Sequence, residues 1–264
     1  MIQRIGYYLH LYSGFISTSF TEAMGFRVHF FLLIIMDLIF YITALASITI
    51  IFMHVETIGV WKKEQFLFFT SVMLAINQLT MTFVSESFWR FSILIRSGNL
   101  DFILIRPANA IFSSFFRIIR PGSMINILFT GSAVIYFGIQ VHLSTLSWFL
   151  LPLFILLGFL LQNAIELVIS CSMFWMLEGT GINFLRIEMQ QLSRWPDFIY
   201  NSIVRRILTL IIPLLLVGSA PVRFLFNPSD WKPLAGMVLA IFVLIGLLRF
   251  SWNAGLRNYE SASS

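Results

Sequence analysis

The chain has 264 residues, of which 58% are hydrophobic and only 11% are charged, and its mean hydropathy is +0.88. Soluble domains carry about 25% charged residues, so this composition excludes a soluble globular enzyme and indicates an integral membrane protein. A formal net charge of +5 would suggest a nucleic-acid partner in a soluble protein. In a membrane protein the placement of positive charge reports topology instead, and no nucleic acid is expected.

The N-terminal residues 1–25 predict an amphipathic helix that lies along the membrane surface. Apolar residues recur at three- and four-residue steps from Ile5 through Tyr12 to Phe20, which is the period of one helix face. They follow a stripe and are not gathered in a block, so no cleavable signal peptide is predicted. We therefore expect an interfacial helix before the first crossing.

Six segments are apolar enough to cross a bilayer as helices, which need about 20 mostly apolar residues. The sequence therefore predicts an all-α membrane protein with one transmembrane domain over residues 1–264. The predicted spans are residues 28–53, 66–85, 123–141, 148–177, 207–222 and 234–252.

Positive charge predicts the orientation of these spans. With the N-terminus in the cytoplasm, 13 of the 17 Lys and Arg residues fall on cytoplasmic segments and 4 on external ones. This bias agrees with the positive-inside rule and places both termini in the cytoplasm. The external connections (54–65, 142–147 and 223–233) are short, whereas the cytoplasmic connections (86–122 and 178–206) are long. The larger polar surface therefore predicts a cytoplasmic partner.

The first cytoplasmic connection contains a short helix bounded by turn-forming residues. In the stretch LIRSGNLDFILIRPAN, residues 94–109, Ser97-Gly98-Asn99 predicts a turn. Asn99 can cap the next helix, and Asp101 suits the positive end of the helix dipole. Pro107 then ends the helix. A loop that only set topology would not need this unit, because connections between bundled helices commonly have about 2–8 residues.

The order Ser-Gly-x-Leu-Asp-x-x-Leu-x-Arg-Pro, from Ser97 to Pro107, resembles the permease subunits of ATP-binding-cassette exporters of the type-2 class. More narrowly, it resembles a small six-span subfamily that works beside a separate ATPase. Ile207-Leu208-Thr209 with Pro213 and Ala220-Pro221 is similar to the fifth span of that subfamily. Residues 255–263 are similar to its C-terminal tail, which reads Gly-x-x-x-Tyr followed by small residues.

The resemblance implies a mechanism in which the connection after the second span carries a coupling helix held in a groove of the ATPase. Closure of two ATPases on ATP would push this helix and the N-terminal surface helix, and would rock two permease halves. The second permease would be identical or related, and the complex would lie in the bacterial inner membrane. The implied coupling residues are the polar Arg96, Asp101 and Arg106 and the apolar Leu100, Phe102 and Ile103.

The chain has no nucleotide-binding loop of its own. Such a loop needs Gly-x-x-x-x-Gly-Lys-Ser/Thr, and the only lysines, Lys62, Lys63 and Lys232, follow no such pattern. We therefore expect no cofactor in this chain, with ATP and Mg²⁺ bound by the partner ATPase. The four histidines lack metal-pair spacing and no Gly-x-Ser-x-Gly is present, so no catalytic activity is predicted.

Two predicted spans carry polar side chains that lipid would not accommodate: Asp37 in the first, and Gln162, Asn163 and Glu166 in the fourth. A central Asp costs about 2.5–3.5 kcal/mol of insertion free energy, so these groups should face other helices or water. They form either a polar patch for an amphipathic or cationic substrate or a set of interhelical hydrogen bonds. An ion-coupled secondary transporter using Glu166 and Asp37 is the alternative function, and a membrane scaffold is another.

The second cytoplasmic connection predicts a further surface helix that Pro196 ends. Its apolar stripe (Ile182, Leu185, Met189 and Leu192) is opposed by polar residues (Arg186, Glu188 and Gln190). A helix of this pattern is expected to lie along the membrane surface, and a second contact with the ATPase is the alternative.

Overall fold

The computed structural model describes residues 2–176 and 179–259. The fold is helical, as predicted, and the strands in these two ranges form a single antiparallel hairpin, β1 (Thr57–Ile58) with β2 (Trp61–Lys62). Leu177 and the small residues after Tyr259 lie outside the described residues. The helices are α1 (Ile2–Gly25), α2 (Arg27–Ile51), α3 (Lys63–Phe83), α4 (Ser85–Arg96), α5 (Asp101–Leu104), α6 (Ala110–Phe115), α7 (Pro121–Gln140), α8 (Thr145–Cys171), α9 (Thr180–Ser193), α10 (Ser202–Arg206), α11 (Leu216–Phe226) and α12 (Lys232–Asn258).

Five helices of the described chain are long and apolar enough to cross a membrane: α2, α3, α7, α8 with the 3₁₀ turn that follows it, and α12. They match the first four predicted spans and the last one within a few residues. The helix α3 is the centre of the bundle, because 83% of its most apolar stretch is buried. The corresponding share is 17% for α2 and 22% for α12. A helix that is apolar all round and still exposed must face lipid or another apolar protein surface.

The helix α9 runs from one end of the bundle to the other. At its start, Gly179 packs against Ser92 of α4, beyond the end of the second span that is predicted to be cytoplasmic. Just after it, the ring of Phe198 lies 4.9 Å from the ring of Trp61, in the hairpin predicted to be external. Rings this close lie on one side of a membrane. The prediction that residues 178–206 form a cytoplasmic surface loop is therefore wrong, and α9 is the fifth segment that connects the two ends.

The segment predicted as the fifth span, residues 207–222, is instead a bent pair of helices. The first arm, α10 with a π-helical turn (Ile207–Ile211), is bent by 100° from α11. The pair begins just after Phe198, whose ring contacts that of Trp61. It ends at Phe226, whose ring is 5.7 Å from that of the same Trp61. Because both arms reach the same end of the bundle, the pair is a re-entrant hairpin and not a through span.

The bend is caused by a proline, and a glycine of α8 leaves room for the helix that follows it. Pro213 lacks an N–H and disfavours helix at Ile212, whose backbone is extended (φ −117°, ψ 91°). The start of α11 then enters the bundle at Gly158 of α8, where an added Cβ would lie 3.0 Å from the carbonyl oxygen of Val217. The missing side chain at Gly158 thus permits this close approach.

This arrangement changes the distribution of positive charge. Arg205 and Arg206 lie with Lys232 at the end of the bundle that carries the β1–β2 hairpin, and the three residues line one cavity. Arg186 and Arg194 lie on or next to α9, within the bundle. Of the 17 Lys and Arg residues, nine then lie at the end predicted to be cytoplasmic and six at the other. The bias keeps its direction, and an even number of crossings keeps both termini on one side; that this side is the cytoplasm stays a prediction.

Candidate functional site

The predicted turn after the second span is present at Gly98. The helix α4 ends at Arg96, and Gly98 follows with φ +70°, a left-handed conformation that glycine adopts without a steric penalty. Its N–H donates to the carbonyl of Ile95 at 3.3 Å, which closes the helix end. Asn99 does not cap α5, because its amide donates to the Ser97 hydroxyl at 2.8 Å and the cap position is Leu100.

The short helix α5 has one buried and one exposed face. Leu100 (0% exposed) and Ile103 (3%) pack inside the chain, whereas Phe102 is 63% exposed and Ile105 is 79% exposed. Arg96 and Arg106 are also exposed. Of the three apolar side chains predicted as a coupling face, only Phe102 is therefore accessible to a partner. Ile105, which is not among the predicted coupling residues, extends the accessible apolar surface.

A cluster of aromatic rings holds the buried face of α5. Its members include Phe88 and Phe91 of α4, Phe115 of α6 and Trp252 of α12, together with Leu100 and Ile103. The rings of Phe91 and Phe115 lie 4.5 Å apart, and Phe91 stacks on Trp252 at 5.8 Å. Aromatic pairs at such distances add about 0.5–1.5 kcal/mol each beyond the burial of their area. The exposed side chains of α5 are therefore mounted on a well-packed base that joins three helices.

The C-terminal Gly-x-x-x-Tyr pattern contributes to this base. Phe174 packs where a side chain at Gly255 would be, since an added Cβ would meet its ring at 2.2 Å. Tyr259 lies next to Phe174, with ring centroids 6.3 Å apart, and beside Asp101 of α5. Burial and the nearby Asp101 carboxylate raise the pKa of Tyr259 above its usual value of 10. The tail thus reaches the candidate coupling element from the far end of the sequence.

The N-terminal helix α1 braces the chain just after α5. The backbone N–H of Asn109 donates to the hydroxyl of Tyr8 at 2.9 Å, and the Asn109 side chain caps α6 by accepting from Phe112 at 3.0 Å. The ring of Phe112 then packs against Tyr8 at 5.4 Å and Tyr12 at 5.9 Å. Burial raises the pKa of Tyr12 to about 12. The predicted surface helix is therefore attached to the loop that carries α5.

The acid of the fourth span is paired inside the protein. Oε2 of Glu166 lies 3.6 Å from Nε of Arg186, and its Oε1 accepts from Gln190 at 2.6 Å and from Gln162 at 3.3 Å. The guanidinium of Arg186 also lies 3.8 Å from the centre of the Phe88 ring. This group joins α8, α9 and α4 and touches the aromatic cluster under α5. The polar face predicted for this helix is therefore buried at Arg186 and Gln190 and exposed at Glu188.

The acid of the first span holds helices together. Asp37 accepts from the Ser123 hydroxyl at 2.8 Å, which joins α2 to α7. Next to it, Tyr41 donates to the side-chain carbonyl of Gln78, and the Gln78 amide donates to the backbone carbonyl of Ser123. Asn163, the third of the polar residues predicted in the fourth span, donates to Thr80 at 3.1 Å. These bonds fit the interhelical role proposed for membrane-embedded polar groups.

The described residues contain no group of three His, Cys, Asp or Glu that could hold a metal ion. The two acidic positions predicted for a transport path, Asp37 and Glu166, are not brought together, since each belongs to its own hydrogen-bonded group. The six predicted coupling residues lie together on or beside α5. The geometry thus offers a surface that can receive a mechanical contact, and buried polar groups that can transmit movement between helices.

In the described residues, five long apolar helices with buried polar groups between them define a multi-pass membrane protein. Residues 38–263 match the model of the ABC-2 family transporter proteins, and the chain therefore belongs to this family as a permease subunit. No curated protein and no solved structure matched the chain. Family membership makes it a membrane subunit of an ABC transporter, which implies an ATPase partner.

Proposed function

We propose that this chain is the transmembrane subunit of an exporter and that a separate ATPase drives it through α5. The observation that carries this proposal is the two-faced geometry of α5. Phe102, Ile105 and Arg106 are exposed, while the opposite face is fixed in the aromatic cluster of Phe88, Phe91 and Trp252. A surface that transmits force from a partner needs exposed side chains for the contact and a rigid attachment to the rest of the protein. The helix α5 has both.

A contiguous set of packed side chains supports transmission from α5 into the membrane. Leu100 and Phe88 belong to one apolar cluster, Phe88 faces the Arg186 guanidinium, and Arg186 pairs with Glu166 of α8. Movement of α5 would therefore displace α8 and α9 together with α4. Packed interiors respond as discrete rearrangements because they have low compressibility, which suits a transporter that alternates between two states.

The exporter would contain two ATPase copies, which bind ATP and Mg²⁺, and two permeases, identical or related. The chain would lie in the cytoplasmic membrane with both termini and α5 in the cytoplasm, as a member of the small six-span subfamily. The large exposed apolar faces of α2 and α12 support a further apolar contact, with lipid or with the second permease. Arg96 and Arg106 would bind carboxylates of the ATPase, since arginine donates in a fork that matches them.

Glu166 does not support the alternative of an ion-coupled secondary transporter. A coupling acid must gain and lose a proton or cation, and must therefore be reached by water during the cycle. Glu166 is 2% exposed and is held by Arg186, Gln190 and Gln162. Its negative charge is thus already compensated, and we assign it to the internal linkage between helices.

Co-purification with the ATPase tests this proposal. The permease is expressed together with its chromosomal neighbours, and the ATPase that copurifies is quantified. The variant Arg106→Glu is compared with Arg257→Glu, an exposed arginine at the same end of the bundle but outside α5. We expect Arg106→Glu to reduce the amount of bound ATPase at least about tenfold, as expected when an interfacial charge pair becomes repulsive. Arg257→Glu should retain it. Equal retention by both variants would overturn the assignment of α5.

A further inference from the structure

A cavity of about 730 Å³ lies between the re-entrant pair α10–α11 and the helix α12. This volume is typical of small-molecule sites, which occupy about 300–1,000 Å³. Most of its lining residues are apolar, such as Leu215, Leu216 and Leu244. Four cationic residues, here called the cationic border, also line it: Arg205, Arg206, Arg223 and Lys232. The cavity therefore combines apolar and cationic walls.

The cations at the border are only partly neutralised by the protein. Arg223 pairs with Asp197 at 2.9 Å and with Asp230 at 2.8 Å. Within the described chain, Arg205, Arg206 and Lys232 form no ion pair, and all three are exposed. One arginine with two carboxylates, set against three further cations, leaves the border with net positive charge. An anion placed there would gain attraction that the protein itself does not supply.

Several apolar side chains that line the cavity are largely exposed. Leu210 and Ile211 on the first arm are 79% and 73% exposed, and Leu239 on α12 is 65% exposed. These side chains line the same cavity as the cations. A hydrocarbon chain can therefore lie against these side chains without displacing any polar group. The site therefore favours a ligand that is both apolar and anionic.

We propose that this cavity binds an amphipathic anion with one negatively charged head, such as a carboxylate or phosphate, and a hydrocarbon chain. The head lies at Arg205, Arg206 and Lys232, and the chain lies along Leu239 and the wall of α12. Arginine can bind carboxylate and phosphate oxygens in pairs, which favours these heads over a neutral one. The inference concerns binding by this chain alone and does not depend on the proposed exporter function.

Photolabelling of the purified chain, without ATPase or nucleotide, tests the proposal. The probe is a fatty acid with a diazirine near the end of its chain, added to the protein in maltoside micelles, and labelled peptides are identified by mass spectrometry. We expect labelling in residues 236–247 or 208–216. Dodecyl phosphate should compete, whereas dodecanol, dodecyltrimethylammonium and inorganic phosphate should not. Competition by phosphatidylglycerol as well would identify a bilayer lipid as a possible source of the ligand.

Variants of the cationic border test the head group. Arg205→Gln together with Arg206→Gln should weaken competition by dodecyl phosphate about tenfold or more, because a hydrogen bond to a charged group changes a binding constant by about that factor. Arg249→Gln is the matched control, since it removes an exposed cation from α12 outside the cavity. If both variants bind dodecyl phosphate as the unmodified chain does, the charged border does not recognise the head.

A second variant fills the cavity and keeps every charge. An added Cβ at Gly236 would meet only Leu216, at 3.9 Å, so the backbone accepts a side chain there and Gly236→Leu places one at the cavity wall. It should reduce photolabelling at least about tenfold. Gly246→Leu, on the same helix but with no atom within 4 Å of the added Cβ, should leave labelling unchanged. Equal labelling of all variants, or equal competition by anionic and cationic amphiphiles, would show ordinary lipid contact and overturn the proposal.

Discussion

Nε of Arg186 lies 3.6 Å from Oε2 of Glu166, and the two side chains are only 2% and 3% exposed. This buried ion pair joins α9 to α8 close to the aromatic cluster that supports α5. The other oxygen of Glu166, Oε1, accepts hydrogen bonds from Gln190 and Gln162. Both oxygens of the carboxylate therefore have a partner. The pair therefore lies where movement of the candidate coupling element would reach the transmembrane helices.

Breaking this ion pair should strongly destabilise the protein. Arg186→Met leaves the Glu166 carboxylate buried without its charge partner, which commonly costs about 3–5 kcal/mol of unfolding free energy. The double variant Arg186→Met, Glu166→Leu should recover most of that loss. Denaturant unfolding in detergent measures all three proteins. The control is Arg90→Met, whose ion pairs with Glu86 and Glu22 are exposed and should contribute at most about 1 kcal/mol. An equal loss in the single and double variants would contradict the role given to the pair.

The two faces of α5 and its base should respond differently to truncation. Phe91→Ala removes a fully buried ring from the aromatic cluster and should lower the unfolding free energy by about 3–5 kcal/mol. Phe102→Ala removes an exposed ring and should change it by less than about 0.5 kcal/mol. Thermal or denaturant unfolding of the isolated permease separates these effects from partner binding. Comparable losses in the two variants would mean that Phe102 is not free at the surface.

The glycine of the C-terminal pattern should be required for helix packing. An added Cβ at Gly255 would lie 2.2 Å from the Phe174 ring, so Gly255→Ala should cost about 1–3 kcal/mol through overpacking. Gly246→Ala in the same helix meets no atom within 4 Å and should be neutral or stabilising by up to about 1 kcal/mol, because alanine favours helix over glycine. Unfolding free energies of the two alanine variants provide the comparison, and a more stable Gly255→Ala protein would contradict the packing described.

The contact between the tail and α5 should be visible in the titration of Tyr259. The Asp101 carboxylate disfavours the phenolate, so Asp101→Asn should lower the pKa of Tyr259, while burial still holds it above 10. Carbon NMR of ring-labelled tyrosine, with Tyr259→Phe to assign the signal, measures this pKa. Asp230→Asn, far from the tail in an Arg223 pair, is the control and should not move it.

The sign of the accompanying stability change follows from the same contact. A phenol whose pKa is raised by folding keeps its proton longer in the folded state than in the unfolded state. Its contribution to stability is therefore complete below pH 10 and is lost as the pH rises through the raised pKa of Tyr259. Tyr259→Phe should remove this part of the pH dependence. If Tyr259→Phe loses the same amount of stability above pH 10 as the unmodified protein, that loss comes from other tyrosines.

Sequence alone predicted the helices that cross as long apolar runs, and it predicted the turn at Gly98. It could do so because both depend on local properties, namely hydropathy over about 20 residues and a backbone conformation that favours glycine. The burial of Leu100 and Ile103 could not be predicted. Both faces of α5 are apolar, and the aromatic cluster that covers one of them includes Trp252, which is far from α5 in sequence.

The path of α9 was predicted wrongly for a related reason. A stripe of apolar residues normally marks the buried face of a surface helix. In α9 two of the three polar residues are buried, because Arg186 and Gln190 contact Glu166 on another helix, while Leu185 of the apolar stripe is 42% exposed. An acid in one apolar segment and an arginine in a nearby amphipathic one is the only signal in the sequence that could have suggested this pairing.

Site-specific cross-linking from α5 tests the central claim most directly. Cys171 is the only cysteine and is fully buried, so Phe102→Cys introduces a single accessible thiol for a photoactivatable maleimide. In membranes that contain the ATPase, illumination should attach position 102 covalently to the ATPase. Leu128→Cys, 77% exposed on α7, is the control and should give no such product. If position 102 attaches only to lipid, or if position 128 attaches to the ATPase equally well, α5 is not the element that the ATPase contacts.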